Sequence, residues 1–524
     1  MIDVNSKELP QGWCWVKLSD VCCQIETKNP NIDPELEFEY IDIASIDNTL
    51  KKIIFPKRYL GKDAPSRARK LVKKNDIIFS TVRTYLMNIA LVPSSLDGQI
   101  ASTGFCVIRA KKELNAKFLF YYSLSRQFIE PLNKLQRGTS YPAVRDGDVF
   151  GQPFPLCATA EQHRIVEKIE ELFSDLDKGI ESLKTTQQQL KIYRQAVLKW
   201  AFEGKLTAKW REEKKQQGEL KSADELLAQI KAEREKRYQQ QLQDWNEAVK
   251  AWEANGKQGK KPGKPKKAKE LNELSEVEIA KLPELPNKWC WIFLGQAFQV
   301  YVGSTPSRKQ ETYWGGDINW VSSGEVAFCK IFSTKETITQ LGLQNCSTEI
   351  HPPGTVMLGM IGEGKTRGQS AILMIPAAHN QNTAAIGISE TGCSSLLLYY
   401  YFYYQYQKTR EIGSGNNQKA LNKDRVENLT YSLCSLEEQD QIVQEIEFRL
   451  SICDRLEATI TENLTRAEAL RQSILKQAFE GKLVAQDPND EPAEKLLERI
   501  KQEKLDSKKG KQLELKVFCD RKIE

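Results

Sequence analysis

Histidine is scarce in this chain: three in 524 residues, His163, His351 and His379. None stands in H-E-x-x-H or a comparable ligand spacing, which argues against metal-dependent hydrolysis. No apolar run reaches the roughly 18 residues of a membrane-spanning helix. The opening Met1-Ile-Asp-Val-Asn-Ser-Lys-Glu8 lacks the charged and apolar regions of a secretory signal, so the expected location is the cytoplasm. Twelve cysteines are scattered without a C-x-x-C pair and are read as reduced core residues. His351-Pro-Pro-Gly354 reads as a turn, and no G-x-G turn suited to a nucleotide or a methyl donor follows a strand. The sequence therefore offers no active site, and no cofactor or metal is expected.

What it does have is itself, twice. Arg194-Gln-Ala-Val-Leu-Lys-Trp-Ala-Phe-Glu-Gly-Lys-Leu206 returns as Arg471-Gln-Ser-Ile-Leu-Lys-Gln-Ala-Phe-Glu-Gly-Lys-Leu483, and Trp13-Cys-Trp15 returns as Trp289-Cys-Trp291. Glu161-Gln162 matches Glu438-Gln439, and Ala223-Asp-Glu-Leu-Leu227 matches Ala493-Glu-Lys-Leu-Leu497. A repeat of this length is a pair of domains, not a solenoid. Between the anchors the copies diverge almost completely. Constant frames around different inserts suit a protein that reads two different things at a fixed separation.

The inserts read as short strands and loops. Phe38 to Ala44, Asp76 to Val82 and Gly104 to Arg109 are strand candidates in the first; Ile318 to Ser322, Thr355 to Ile361 and Ala371 to Ile375 are candidates in the second. Each insert also holds one short apolar helix, near Lys117 to Leu124 and Leu396 to Tyr406. After each comes a long helix with apolar residues at three- and four-residue steps, through Ile165, Ile169, Leu172 and Leu176, and through Ile442, Ile446, Leu450 and Cys453. Each stripe needs a partner, and the other copy is the nearest candidate. Forty residues of helix make a rod of roughly 60 Å, a spacer of defined length. Gly204 and Gly481 are natural helix stops, and a second charged helix follows each one.

The formal net charge is only +6, but ten basic residues fall between Lys51 and Asn75 against one acid, Asp63. Such a run can neutralise phosphates or form a solvated face. A second run, Gly256 to Lys269, holds seven lysines among glycines and prolines and reads first as a flexible linker and second as a phosphate contact. Gly359-Met-Ile-Gly-Glu-Gly-Lys365-Thr366 fits G-x-x-x-x-G-K-[ST], which would suggest a nucleotide-binding protein. A strand, not a helix, is expected after it, and a loop between two strands offers no helix N-terminus to phosphate. Lys365, Arg367 and Gln369 there suit contacts to phosphates or base edges from a hairpin. Trp13, Trp15, Trp289 and Trp291 read as core, whereas Trp314 and Trp320 are more open to a recognition role. A coiled-coil scaffold with protein partners alone is the remaining alternative.

The anchors resemble one family, the specificity subunits of type I restriction-modification enzymes. Leu9-Pro-Gln-Gly-Trp-Cys-Trp-Val16 and Leu285-Pro-Asn-Lys-Trp-Cys-Trp-Ile292 resemble its entry into each recognition domain. Val302-Gly-Ser-Thr-Pro-Ser-Arg-Lys309, Tyr313-Trp-Gly-Gly-Asp-Ile-Asn-Trp-Val321 and Ser323-Gly-Glu325 are similar to a common recognition-domain opening, and Phe38 to Asp47 to another type. The resemblance implies an α+β fold: two mixed α/β target-recognition domains separated by two long antiparallel coiled-coil helices, with an internal pseudo-two-fold repeat. The expected divisions are 1-160, first recognition domain; 161-252, central helical spacer; 253-284, Lys/Gly/Pro-rich linker; 285-437, second recognition domain; and 438-524, distal helical spacer. It also implies a non-catalytic reader of an asymmetric bipartite site in double-stranded DNA. Two modification subunits would supply adenine methylation and restriction subunits ATP-dependent translocation and cleavage, with no membrane partner. Recognition residues vary with the target, so candidates come from charge and loop position: Arg67, Arg69, Lys70, Lys74, Arg83 and Tyr85 in the first domain, and Ser304, Arg308, Lys365, Arg367 and Gln369 in the second.

Overall fold

Each Trp-Cys-Trp anchor is a strand that closes its domain by pairing with the strand just before a long helix. Cys14–Lys17 runs antiparallel to Pro153–Leu156, and Cys290–Phe293 runs antiparallel to Thr430–Leu433, with Cys14 opposite Leu156 and Cys290 opposite Leu433. The computed structural model describes residues 8–259, 261–265, 267, 270–362, 364–388, 391–411 and 420–502. Three lysines of the second basic run (Lys260, Lys266, Lys269), Glu363 of the glycine-rich motif and the last part of the distal spacer lie outside them. The chain divides into two compact units, Met1–Thr185 with Ile460–Glu524, and Thr186–Thr459.

In the first unit, one four-stranded sheet runs Lys57–Leu60, Glu37–Ile41, Ile100–Ser102, Ala68–Leu71, and another runs Cys22–Cys23, Phe105–Ala110, Ile77–Ser80, Ile89–Leu91. In the second, a five-stranded sheet runs Gln299–Val302, Thr383–Gly387, Val356–Gly359, Ser370–Leu373, Cys329–Ile331, beside a three-stranded sheet centred on Trp314–Val321. The anticipated short helices are Ala116–Ser123 and Ser395–Glu411. The two inserts share a frame and not a sheet plan.

The long helices are Thr159–Phe202 and Leu436–Phe479, 44 residues each. Each gives part of its length to either unit. In the first unit Ile165, Val166, Ile169 and Phe173 share a core with Ile474, Leu475, Ala478 and Phe479; in the second, Val197, Leu198, Ala201 and Phe202 share one with Ile442, Val443 and Ile446. The apolar stripes therefore pack against each other as expected. Asp177 meets Arg471 and Arg164 meets Asp490 in the first unit, while Arg194 meets Asp454 and Thr207 meets Glu438 in the second. Rising numbers on one helix face falling numbers on the other, which makes the packing antiparallel in both.

The Ala-Phe-Glu-Gly-Lys-Leu repeat is the joint between each helix and the domain of the other copy. Phe479 sits 5.1 Å from the Phe118 ring and 5.0 Å from that of Tyr122, and Phe202 sits 5.6 Å from Tyr401. Gly481 and Gly204 then adopt left-handed conformations, φ +66° and +68°, and a β-carbon would lie 2.3 Å from Pro10 or 2.5 Å from Pro286. Both the turn and the close approach exclude a side chain. Beyond each glycine a second helix docks: the amide of Ala493 donates to Gly12 and that of Ala223 to Lys288, both at 2.9 Å. The eleven described cysteines are all free thiols, six of them buried. No described helix is long and apolar enough to cross a membrane.

Candidate nucleic-acid interface

The Glu-Gln pair that opens each long helix is the rigid mount of each insert. The indole of Trp13 donates to Glu161 at 2.9 Å, and that of Trp289 donates to Glu438 at 2.8 Å. A carboxylate in a helix's first turn is favoured by the helix dipole. Gln162 donates to the Cys157 carbonyl and accepts from the Asn115 amide, both at 2.9 Å. Gln439 repeats this with Cys434 and Ser394 at 3.1 and 3.0 Å. Strand, short helix and long helix are thus tied together in both copies, leaving the insert loops to vary.

In the first insert three loops converge. The amide of Arg83 donates to Pro142 at 2.7 Å, the Asn48 amide group to Leu86 at 3.2 Å and the Lys51 ammonium to Met87 at 2.8 Å. Arg83 adopts a left-handed conformation, φ +50°, which turns the chain outward. Its guanidinium lies 5.2 Å from the centroid of the Tyr141 ring. Phe55, Tyr85 and Tyr141 stand 72%, 53% and 73% exposed, more open than any aromatic with a structural task. An arginine among exposed aromatics on loops can bond base edges and stack. Burial pushes the Lys51 ammonium down to about 8, so this cation titrates near neutrality.

The basic run is less free than its sequence suggests. Lys57 pairs with Asp42 at 2.9 Å, Lys73 with Glu26 at 3.4 Å, and Lys70 with Asp146 at 2.6 Å while also donating to the Phe105 carbonyl. Lys70 holds the domain together from a nearly buried position. Arg69 is half-buried and donates to the Ala68 carbonyl. Arg67 and Lys74 are exposed, together with Lys52 and Lys62. Of the first-domain candidates, then, Arg83 and Tyr85 share the loop cluster; Arg67 and Lys74 are surface cations.

In the second insert Arg308 packs between the two insert tryptophans. Its guanidinium centre lies 3.9 Å from the Trp314 ring and 5.4 Å from the Trp320 ring, and it grips Glu336 through both nitrogens, the longer bond 2.9 Å. That arginine holds the Glu336 carboxyl below its ordinary range. Trp320 is 2% exposed and donates to the Ser304 carbonyl at 3.2 Å. Trp320 is closed off, contrary to its expected openness, whereas Trp314 is half-buried with the Arg308 guanidinium against its ring. Ser304 is fixed through its backbone, its amide donating to His379 at 3.0 Å.

Val356–Gly359 and Ser370–Leu373 form the expected hairpin, closed by the Gly359 amide on Gln369 and the Gly368 amide on Gly359, both 2.8 Å. The glycine-rich motif is its turn, and a strand follows it. Lys365 is exposed on that turn and Gln369 is half-buried. Arg367 is 6% exposed and donates to the Arg410 carbonyl at 2.7 Å, so it braces the hairpin against the Ser395–Glu411 helix. Phe332, at 67% exposure, is a surface aromatic that charge-based reading passed over, as it did Tyr141 and Phe55. Gly138-Thr-Ser-Tyr-Pro142 was the available signal: an aromatic in a run of turn-formers. Among the described residues no group of three or more histidine, cysteine or acidic side chains could hold a metal.

What this geometry defines is a class: a pair of unlike loop platforms, each carried on a copy of one frame. The family model for the type I restriction modification DNA specificity domain matches residues 10–191 and 286–466. The EcoDI specificity subunit of Escherichia coli is 23% identical over 403 residues, 74% of this chain and 77% of that one. The HsdS subunit of Thermoanaerobacter tengcongensis superposes with a TM-score of 0.56 at 27% identity, covering 91% of this chain and 99% of that one. A chain from the structural work on complex assembly and conformational transition of the type I R-M system gives 0.64 at 28%, with the same coverage. The chain belongs to the specificity subunits of type I restriction-modification systems. It sets the DNA target, performs no catalysis itself, and is part of a type I complex.

Proposed function

We propose that the two inserts read different half-sites of an asymmetric bipartite target in double-stranded DNA, one through each major groove, and that the paired long helices fix the gap between them. The observation that carries this reading is the identity of the two Trp-Glu mounts beside the difference between the two sheet plans. Equal mounts present unequal surfaces. In the first domain Arg83, Tyr85 and Tyr141 make the base contacts, with Arg67 and Lys74 on phosphates; in the second, Lys365 and Gln369 on the hairpin do the same work. Lys70 and Arg367 support these loops from behind, and Arg308 braces Trp314 from the surface.

Partner subunits complete the complex. Phe448, Ile452 and Leu456, at steps of four, form a stripe on the second long helix, 61%, 37% and 46% exposed. An exposed apolar row on a helix is a docking face, here for a modification subunit carrying the adenine methylation chemistry. Two such subunits and the restriction subunits assemble with this chain in the cytoplasm. Sequencing of methylated adenines in cells that express the chain with its modification subunit tests the reading. A two-part motif with a fixed gap, lost on deleting the chain, is the expected result; a continuous motif would overturn it.

A further inference from the structure

The short helical turn Thr84–Leu86, flanked by Arg83 and Met87, carries Arg83 and Tyr85 on the surface of the first domain. Tyr85 and Leu86 are exposed, and of these five residues only Thr84, at 1%, is buried. Both flanks are left-handed without being glycine, Arg83 at φ +50° and Met87 at +52°. Side-chain-bearing residues stay in that conformation only where the surroundings over-determine the backbone. Where this turn sits therefore depends on what grips it from outside. Besides the Pro142 contact, two grips reach back to the second long helix.

The first runs through the helix Arg126–Lys134. The Thr84 hydroxyl donates to Asn133 Oδ1 at 2.6 Å near the end of that helix, and Gln136, just past it, donates to the same hydroxyl. At the opposite end Gln472 of the second long helix accepts from the Arg126 amide at 3.2 Å and donates to the Leu124 carbonyl at 3.3 Å. Nine residues of helix span roughly 13 Å, and buried Phe128, Ile129 and Leu132 fix its inner face. This helix is a strut between Gln472 and Thr84.

The second grip is the hairpin that pairs Ile46–Asp47 with Lys52–Ile53. Asp47 accepts from the Thr49 and Leu50 amides at 2.8 and 2.9 Å, which sets the shape of its tip. From that tip Asn48 donates to the Leu86 carbonyl at 3.2 Å and Lys51 to that of Met87 at 2.8 Å. Lys51 is half-buried, and the charges acting most on it are those of Glu468 and Arg471, beside Gln472 on the same helix. Arg471 is itself held, by Asp177 and by the Phe173 ring, whose centroid lies 4.6 Å from its guanidinium. Both grips end on one stretch of helix, 468–472, inside the first compact unit.

We propose that Thr84 and Lys51 are positioning residues for target recognition: they fix where the turn presents Arg83 and Tyr85, with the second long helix as the reference. Neither touches a base. The inference rests on the reading of one half-site by this turn and adds how that reading is kept accurate. A turn free to shift still meets DNA, but it no longer penalises a wrong base by leaving polar groups unpaired.

The test is sequencing of methylated adenines in cells that express the chain with its modification subunit, comparing the parent with Thr84→Val, which keeps the shape and removes the hydroxyl, and with Lys51→Met. In each variant, methylation at sites differing from the parent motif by one base of the half-site that Tyr85→Ala alters should rise roughly fivefold or more, the low end of what a mismatched base pair costs. The other half-site and the gap should not change, and Thr84→Ser and Lys51→Arg should return the parent motif. A parent motif kept by both Thr84→Val and Lys51→Met, whatever their melting temperatures, would make the two residues structural only and overturn the proposal. So would relaxation of both half-sites. Should Thr84→Val not fold, Lys51→Met on the open side of the turn decides alone. Binding by Lys51→Met that weakens equally on target and scrambled duplexes, with a shallower salt dependence, would make Lys51 a phosphate contact and also overturn it. Tyr85→Ala separates the two levels of the reading. If it leaves the motif intact, the turn does not read DNA and both inferences fall; if it alone alters a base, only the positioning role falls.

Discussion

The indole of Trp289 donates to Glu438 at 2.8 Å, across 149 positions of sequence, and the same carboxylate takes Arg211 at 2.5 Å and Thr207 at 2.7 Å. Its counterpart Glu161 accepts from Trp13, but its Oε1 is buried with no partner among the described residues. Burial pushes the Glu161 carboxyl upward. The two mounts are alike in geometry and unlike in electrostatics. Glu438→Gln should therefore lower stability, since it strands a nearly buried Arg211, by about 3–5 kcal/mol. Glu161→Gln keeps an acceptor for Trp13 and removes an uncompensated charge, and should leave the melting temperature unchanged or higher at pH 7. Because the Glu161 pKa is raised on folding, its contribution is full at low pH and lost as pH rises through the folded value. The advantage of Glu161→Gln should accordingly grow from pH 5 to pH 7, read by calorimetry on the full chain.

A second pair titrates the other way. His351 and His379 are 5% and 1% exposed, their rings 5.1 Å apart, and burial pushes their pKa values down to about 4 and about 3. Below the ordinary histidine value the unfolded chain takes protons that the folded one refuses. Their contribution is full above about pH 6.5 and is lost as pH falls toward 4. Thermal unfolding from pH 7.5 to 5 should show the second unit weakening on acidification, and the double variant His351→Gln, His379→Gln should flatten that slope. An equal slope in both proteins would remove the histidines from the account.

The surface of the first domain separates two kinds of cation. Tyr141→Ala or Arg83→Ala should change or abolish methylation at one half-site while the stability stays within about 0.5 kcal/mol of the parent. Lys70→Ala breaks the bond to Asp146 and the Phe105 carbonyl and should do the reverse, lowering stability and leaving the recognised bases unchanged. Methylated-adenine sequencing beside thermal melts decides both.

Legibility in the sequence followed repetition. The matched Glu-Gln pairs, the Ala-Phe-Glu-Gly-Lys-Leu helix stops and the apolar stripes were readable because each occurs twice at nearly one offset; the antiparallel direction of the stripes came from the family resemblance, since spacing alone does not give it. Lys70 was not, because a run of charge does not show which cation an acid 76 positions later will claim. Trp314 and Trp320 read as open for the same reason: their partner, Arg308, is named by no local pattern. Tyr141 and Phe332 carry neither charge nor period, and only their exposure in the folded loops marks them.

The exposed row Phe448, Ile452, Leu456 has no twin. The matching positions of the first long helix are Glu171, Asp175 and Gly179, so the two copies offer partners different chemistry. Phe448→Asp with Leu456→Asp should weaken binding of the modification subunit by 1 kcal/mol or more, as loss of an apolar anchor does, without altering the fold. Glu171→Ala with Asp175→Ala should have little effect. Equal losses from both pairs in a pull-down titration would show that the partner does not use the apolar row.

The ruler reading makes the sharpest demand on the two long helices. Because they pack antiparallel, lengthening one alone would shift every contact beyond the insertion, Arg194 with Asp454 or Arg471 with Asp177 among them. A fair test adds four residues to both, after Thr185 and after Thr459, where each helix passes from one compact unit to the other. Four residues add about 6 Å of helix, and DNA rises about 3.4 Å per base pair, so the methylated motif should keep both half-sites and widen its gap by roughly one or two base pairs. Four residues also turn the helix about 40° past a full turn, a mismatch a flexible duplex can absorb in twist. An unchanged gap in a well-folded, active variant would show that something other than helix length sets the spacing.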